Sequence, residues 1–281
     1  MTIRRAVITA AAPDQKALPL QRIVDQQGQS KTTLELILEE SIEAGAEEIC
    51  VIICPGTSGD YARAAGPHAS RLTFIEQTNP RGYGDAIYRA KDFVGDESFL
   101  HMVSDHVFIS HNHRRCAGQV VDVANQENCI VSSVQETREH LLPFFGTVGA
   151  RPVSNRDDLY NVEVAIEKPT PTQAEQELIV AGLRSSHYLC LSAIHVLTPG
   201  IMGVLEEQIK NTTESVQLTP ALHAMAQRER YLALEVAGAR FNIGVKYGML
   251  KSQLALALSG DDRDDILAQV LELVATSRKE N

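Results

Sequence analysis

The sequence predicts an α/β protein whose central sheet is mixed but mostly parallel, Rossmann-like and flanked by helices. Three observations carry this reading. Strand-like and helix-like runs alternate through the first hundred residues. Four further strand-like runs then follow, several without a helix between them. The composition, 44% hydrophobic and 22% charged over 281 residues, is that of a folded globular chain rather than a disordered one.

The first strand is the apolar run Ala6 to Ala10. It leads into the loop "AAPDQK", the place where many α/β proteins put glycines so that backbone N–H groups can approach a phosphate. In "TTLELILEESIEAG", Leu34, Ile37, Leu38 and Ile42 recur at helical spacing. Thr32 and Glu35 form a capping box at the start of that helix and Gly45 stops it. "EEICVIICPG" reads as a buried strand ended by Pro55 and Gly56, and "RLTFIEQ" as a shorter strand. "GYGDAIYRAKDFV" reads as one helix, and "SFLHMVSD" as a strand finishing on Asp105. Strands separated by helices imply parallel pairing, and ligands collect at the carboxyl ends of such strands. Both the opening loop and Asp105 lie there.

In the second half, "NCIVSSVQE", "FGTVGA", "NVEVAIEKP" and "HYLCLSAIHVL" read as strands that extend the sheet. Helices are expected at "PGIMGVLEEQI" and "TPALHAMAQRER", and a strand near "YLALEVAG". An amphipathic last helix runs from Asp264 to Ser277, opened by the polar turn "GDDRDD", whose acids suit a helix N-terminus. No repeat or linker interrupts the chain, so residues 1–281 are read as one domain, with a ligand-binding part over about 1–110 and a second lobe over about 111–281.

Composition and charge exclude several functions. A formal net charge of -10 argues against a nucleic-acid binder, which needs a basic face to neutralise phosphates. The apolar part of "MTIRRAVITAAA" is too short for a signal peptide, and nowhere do about 18 apolar residues run together, so a cytoplasmic protein without a membrane partner is expected. The five cysteines, Cys50, Cys54, Cys116, Cys129 and Cys190, are odd in number and scattered, which reads as reduced core thiols. His111 and His113 read as a solvated surface pair beside Arg114 and Arg115, and Tyr83 and Tyr88 as packing residues.

Three features point to nucleotide and phosphate chemistry. Asp105 ends an apolar strand, where a carboxylate can hold Mg²⁺ among phosphate oxygens. "NPRGYGDA" sets two glycines between a strand and a helix, so backbone can approach a base or a phosphate. "EKP" places Glu167 and Lys168 side by side at a strand end, stiffened by Pro169.

In order and spacing, "RRAVITAAA", "LELILEESIEAGAEEICVI", "IEQTNPRGYGDAIYRAKDFVGDESFLHMVSD", "FGTVGA", "VAIEKPTP", "HVLTPGIM", "SVQLTPAL" and "ARFNIGVKYGMLKSQLALAL" resemble the bacterial UTP:glucose-1-phosphate uridylyltransferases and their sugar-1-phosphate nucleotidyltransferase relatives. The resemblance implies the nucleotide-diphospho-sugar transferase fold with a sugar-binding lobe. It also implies transfer of a nucleotidyl group from an NTP, UTP first, to a sugar 1-phosphate with Mg²⁺ as cofactor, in a dimer or tetramer. Carried over by position, Ala11, Ala12, Lys16 and Arg22 would serve the nucleotide, Gln77 and the backbone of Gly82 the pyrimidine, and Asp105 the metal. Gly146 would leave room for the sugar, Glu167 would accept from its hydroxyls, and Lys168 and Lys246 would meet the phosphates. Lys16 and Asp105 would be the catalytic pair.

The sequence departs from the family at its signature loop. There "AAAPDQKALPLQR" puts Ala12 and Asp14 at glycine positions, Gln15 at a threonine, Lys16 at an arginine and Arg22 at a lysine. Lysine lacks the bidentate fork of arginine, Pro13 lacks an N–H, and the Asp14 carboxylate would repel phosphate, so weaker triphosphate binding is expected. Asn242 stands at the family's second metal-binding aspartate, about three residues are missing around "VDQQGQS", and Pro220 replaces an acid. Two further readings follow: a nucleotide-sugar-binding relative with weakened turnover and a regulatory or partner role, and a glycosyltransferase-like enzyme using "SDH" at Ser104 to His106.

Overall fold

The computed structural model describes residues 1–276. The chain opens with β1 (Arg5–Ala10), a hairpin of β2 (Arg22–Val24) and β3 (Ser30–Thr32), α1 (Thr33–Glu43) and β4 (Glu48–Ile53). It continues through α2 (Ser58–Ala64), β5 (Leu72–Glu76), α3 (Tyr83–Tyr88), α4 (Lys91–Val94) and β6 (Phe99–Val103). β7 (His106–Ser110), α5 (Cys116–Glu127), β8 (Ile130–Arg138), β9 (Gly146–Pro152), β10 (Leu159–Glu167) and α6 (Pro171–Glu177) follow. The last part holds β11 (His187–Leu197), α7 (Gly200–Asn211), α8 (Leu218–Ala226), β12 (Tyr231–Glu235), β13 (Gly238–Asn242), α9 (Gly248–Leu258) and α10 (Arg263–Thr276). Ser277, expected to end the last helix, lies outside the described residues.

Nine strands form one sheet in the order β5-β4-β1-β6-β11-β8-β12-β10-β9. The first four are parallel, because a helix separates each strand from its neighbour in the chain. β11 joins this half antiparallel to β6, and β9 returns to pair with β11, which curls the second half of the sheet. One sheet therefore runs through both halves of the chain.

Period-two alternation divides the core between the two faces of the sheet. On β1, Val7 joins a cluster with Ile87, Leu205 and Leu222 from α3, α7 and α8. Its neighbour Ile8 joins the opposite cluster with Leu34, Ile37 and Leu38 of α1, Tyr61 of α2 and Val120 of α5. Both capping-box hydrogen bonds at Thr32 and Glu35 form, and Gly45 follows the helix with φ +114°.

The single helix expected over "GYGDAIYRAKDFV" is two. The Ala90 N–H bonds Ile87 O, three residues back, and that tighter step turns Ala90 fully into the core before α4 begins. All five cysteines are buried and free of disulfides. His111 and His113 are exposed. Among the described residues, no helix is long and apolar enough to cross a membrane.

Candidate active site

A cleft of about 600 Å³ opens where β1, β5 and β6 end, and the curled lobe of β9, β10 and β11 forms its far wall. Ala11, Ala12, Pro13, Gln77, Gly82 and Asp105 line the near side, and Gly146, Glu167 and Lys168 the far side.

Asp105 owes its place to two ladders. The Ser104 N–H bonds Thr9 O at 3.1 Å, which carries the β1–β6 pairing one step further. The Asp105 carbonyl accepts from Ile243 N–H at 2.9 Å, beside the antiparallel β7–β13 pair that sets Asn242 opposite His106. Asp105 and Asn242, far apart in sequence, thus meet at one rim. Burial raises the Asp105 pKa, but His106 Nδ1–H donating at 2.7 Å and the nearby Arg240 charge outweigh it, so the carboxyl sits below its ordinary range. An ionised carboxylate can only accept, which fixes His106 as the donor.

The Asn242 side chain is partly committed: its Oδ1 accepts from Gly244 N–H at 2.7 Å. A divalent cation here would therefore draw on Asp105 Oδ2 and the remaining lone pair of Asn242 Oδ1. No cluster of three or more His, Cys, Asp or Glu side chains suited to a metal occurs among the described residues. One carboxylate with one amide oxygen suits Mg²⁺, which keeps several waters and takes its other ligands from substrate phosphates.

On the near wall, Gln77 is 4% exposed and its Nε2 donates to Asp85 Oδ2 at 2.6 Å and Gly82 O at 3.4 Å. Arg89 holds Asp85 from the other side at 3.0 Å. With the amide nitrogen spent, Oε1 is the Gln77 atom left for a ligand. Gly82 has φ +105°, and a side-chain carbon there would strike Ser215 Oγ and meet Val216 O at 2.6 Å, so only glycine fits. The Gly82 N–H has no protein partner among the described residues.

On the far wall, Gly146 lines the cleft, and a side-chain carbon added there would strike Thr219 Oγ1 and lie 3.2 Å from Glu167 Oε2. The glycine lets β9 approach α8, and Thr219 Oγ1 then donates to Glu167 Oε2 at 2.5 Å. Glu167 Oε1 stays available 4.0 Å from Lys168 Nζ. Lys168 adopts φ +48° and its N–H bonds Phe145 O, which turns the chain at the cleft edge before Pro169.

Three of the four lysines and arginines expected at the phosphates are elsewhere. Lys16 is exposed, and its carbonyl accepts from Tyr61 OH. Arg22 lies on β2, where its Nε donates to Ser30 Oγ at 2.9 Å. Lys246 Nζ sits 5.2 Å above the Tyr247 ring. None of the three lines the cleft. The loop itself curls into successive turns, Gln15 N–H to Ala12 O and Leu18 N–H to Gln15 O, which consume donors that a glycine-rich loop would offer. Asp14 is exposed and outside the lining, so its carboxylate does not face the cleft.

Sequence reasoning missed Arg240 and His195 as cleft residues; His106, named in the "SDH" reading, lines the cleft. Strand alternation gave the signal for Arg240: two residues before Asn242, it shares that residue's face of β13. His195 reaches the cleft because β11 bulges between Leu191 and His195, with Ala193 at φ +67°.

A sequence profile described as nucleotidyl transferase matches residues 22–240, the greater part of the chain. The chain belongs to the nucleotidyl transferase family. The match begins at Arg22, after the altered loop. This nucleotidyl transferase is 27% identical, aligned over 304 residues, to a UTP–glucose-1-phosphate uridylyltransferase of Streptococcus pneumoniae serotype 4, covering 96% of each chain. Two solved structures share its fold. A UDP-glucose pyrophosphorylase complexed with UDP-glucose superposes with a TM-score of 0.74 at 21% identity, over 90% of this chain and 98% of that one. A UTP-bound enzyme of the same kind from Acinetobacter baumannii superposes with a TM-score of 0.73 at 20% identity, over 97% of this chain and all of the other. The nucleotide-diphospho-sugar transferase fold expected from the sequence is the one observed.

Proposed function

We propose that this nucleotidyl transferase joins the uridylyl group of UTP to a sugar 1-phosphate, with a nucleotide-sugar and pyrophosphate as products. The observation that carries this reading is the placement of Asp105 on one cleft between Gln77 with Gly82 and Glu167 with Lys168. An oxygen of the sugar phosphate attacks the α-phosphorus of UTP in line. The new phosphorus–oxygen bond forms as the α–β anhydride bond breaks, and its electron pair leaves with pyrophosphate.

Gln77 Oε1 and the Gly82 N–H read the base: the first accepts from a ring N3–H, the second donates to a ring carbonyl. Uracil offers that hydrogen and cytosine does not. Glu167 Oε1 accepts from a sugar hydroxyl, and Lys168 approaches the sugar phosphate from the same strand end. Asp105, ionised and half-buried, would hold Mg²⁺ with help from Asn242. That cation supplies charge neutralisation at the phosphates. Closeness to the relatives' printed activity supports UTP and a hexose 1-phosphate as the first substrates to try.

The test is pyrophosphate release with Mg²⁺, glucose 1-phosphate and each NTP in turn. Release with UTP well above CTP is the expected result. Release with no NTP, alongside binding of UDP-glucose by calorimetry, would replace this reading with a nucleotide-sugar binder of regulatory role.

A further inference from the structure

Among the described residues, the lysines and arginines lining the cleft are two, Lys168 and Arg240. Arg240 is the unusual one. It sits on β13 two residues from Asn242, half-buried, with Cζ 4.3 Å above the Phe145 ring and Nη1 donating to Leu191 O at 3.0 Å. It forms no ion pair among the described residues. The carboxylate whose charge acts on it is Asp105, the family metal position. Arg240 also borders a smaller cavity of about 160 Å³ with Glu136 and Glu235, and neither acid pairs with it.

Withdrawing a guanidinium from water without a counter-ion is costly, so such groups are found where an anion completes them. A guanidinium has five N–H donors, and one contact to Leu191 leaves most of them unused. The Phe145 ring under Cζ and the Leu191 carbonyl hold the guanidinium in place at the cleft wall, and a fixed fork of that kind matches paired phosphate oxygens. The position is decisive: Arg240 stands between the Asp105 rim and Phe145 with Gly146 on the sugar-lobe wall. A nucleotide-sugar spanning the cleft would lay its diphosphate there.

We propose that Arg240 binds the diphosphate of a nucleoside diphosphate or nucleotide-sugar, supplying within the cleft the cationic fork that the signature loop has lost. This rests on the nucleotide reading above. Arg240 is a ligand-binding residue in this account. It compensates for Lys16 and Arg22, which stand outside the cleft.

UDP and uridine differ only in the diphosphate, so their ratio of affinities isolates the contact. Binding of each is titrated by NMR to the full chain and to Arg240→Gln, with EDTA present and again with Mg²⁺. With EDTA, the variant should bind UDP about ten- to a hundredfold more weakly, the range for a hydrogen bond between charged groups, while uridine binding is unchanged. Arg240→Lys, which keeps charge but loses the fork, should fall between. A purely structural role would weaken both ligands together and would overturn the assignment, as would a wild-type chain that prefers UDP to uridine only when Mg²⁺ is added. If Arg240→Gln does not fold, Arg240→Lys decides alone: an unchanged ratio overturns the proposal. A wild-type chain that binds neither ligand in either buffer overturns the nucleotide reading itself.

Discussion

Asn242 carries one oxygen where the family carries a carboxylate, and that oxygen already accepts from Gly244 N–H. Restoring charge should therefore act on the cation directly. Asn242→Asp keeps the turn acceptor and adds a negative charge beside Asp105, so binding of Mn²⁺ as a probe, followed by its electron paramagnetic resonance, should tighten about tenfold or more at an effective dielectric near 20. Unchanged Mn²⁺ affinity would remove Asn242 from the metal rim. Gly82 makes a second prediction. At φ +105°, with Val216 O only 2.6 Å from where a side chain would begin, Gly82→Ala should displace the Ser215–Val216 segment and weaken UTP binding more than glucose 1-phosphate binding, which paired titrations would show. Asp105, Gly82, Glu167 and Lys168 were legible in the sequence because strand ends and tight turns announce themselves, whereas Gln77 came from the family resemblance alone. Lys16, Arg22 and Lys246 were misplaced because alignment fixes a residue's position in the chain and not the direction of a long, flexible side chain.

At the scale of elements, α1 shows the clearest passage from sequence to energetics. Thr32 accepts from Glu35 N–H at 3.0 Å while its own N–H donates to the Glu35 carboxylate at 2.6 Å. Thr32→Ala should cost about 1 kcal/mol in the denaturant-unfolding free energy. β6 and β11 hold a pair with no local signal in the chain: His101 and His195 stack with ring centres 5.9 Å apart, His101 fully buried and His195 buried at the cleft floor. The His101 Nδ1–H donates to Val7 O at 2.9 Å, which leaves Nε2 to accept from Tyr83 OH at 2.6 Å. Burial pushes His101 down to about 4, against the Val7 bond, and pushes His195 down to about 3, helped by the His101 charge. Both rings therefore stay neutral in the folded protein at pH values where the unfolded chain binds a proton on each. More protons bound when unfolded means that stability rises with pH across that window. From pH 7 towards pH 5 the unfolding free energy should fall, approaching about 1.4 kcal/mol per unit for each ring below pH 6.5, and His195→Asn should remove roughly half of that slope in urea titrations. A flat profile would mean that the rings ionise inside the fold. Helices α2 and α6 and strand β13 were not legible because they are short and largely or partly exposed; α5 and α9 are as long as α1 and went unread all the same.

Across the whole molecule, the alternation of strands and helices in the first hundred residues was enough to fix a parallel half-sheet with ligands at its carboxyl edge. The second half needed tertiary information. No local pattern in "HYLCLSAIHVL" says that one strand will bulge at Ala193 and pair with β6, β8 and β9 at once, yet that curl builds the far wall of the cleft. The altered loop likewise could be read as a loss of phosphate donors, but not as a set of closed turns leaving Arg240 and Lys168 as the cleft's lysine and arginine side chains. These features converge on one carboxylate. The decisive measurement is pyrophosphate release from UTP and glucose 1-phosphate by the wild-type chain and by Asp105→Asn, which keeps shape and removes charge. Turnover by the wild type that falls about a hundredfold or more in the variant, with an unchanged melting profile, is the predicted result for loss of a group that stabilises developing charge. Equal turnover in the two proteins would contradict the account.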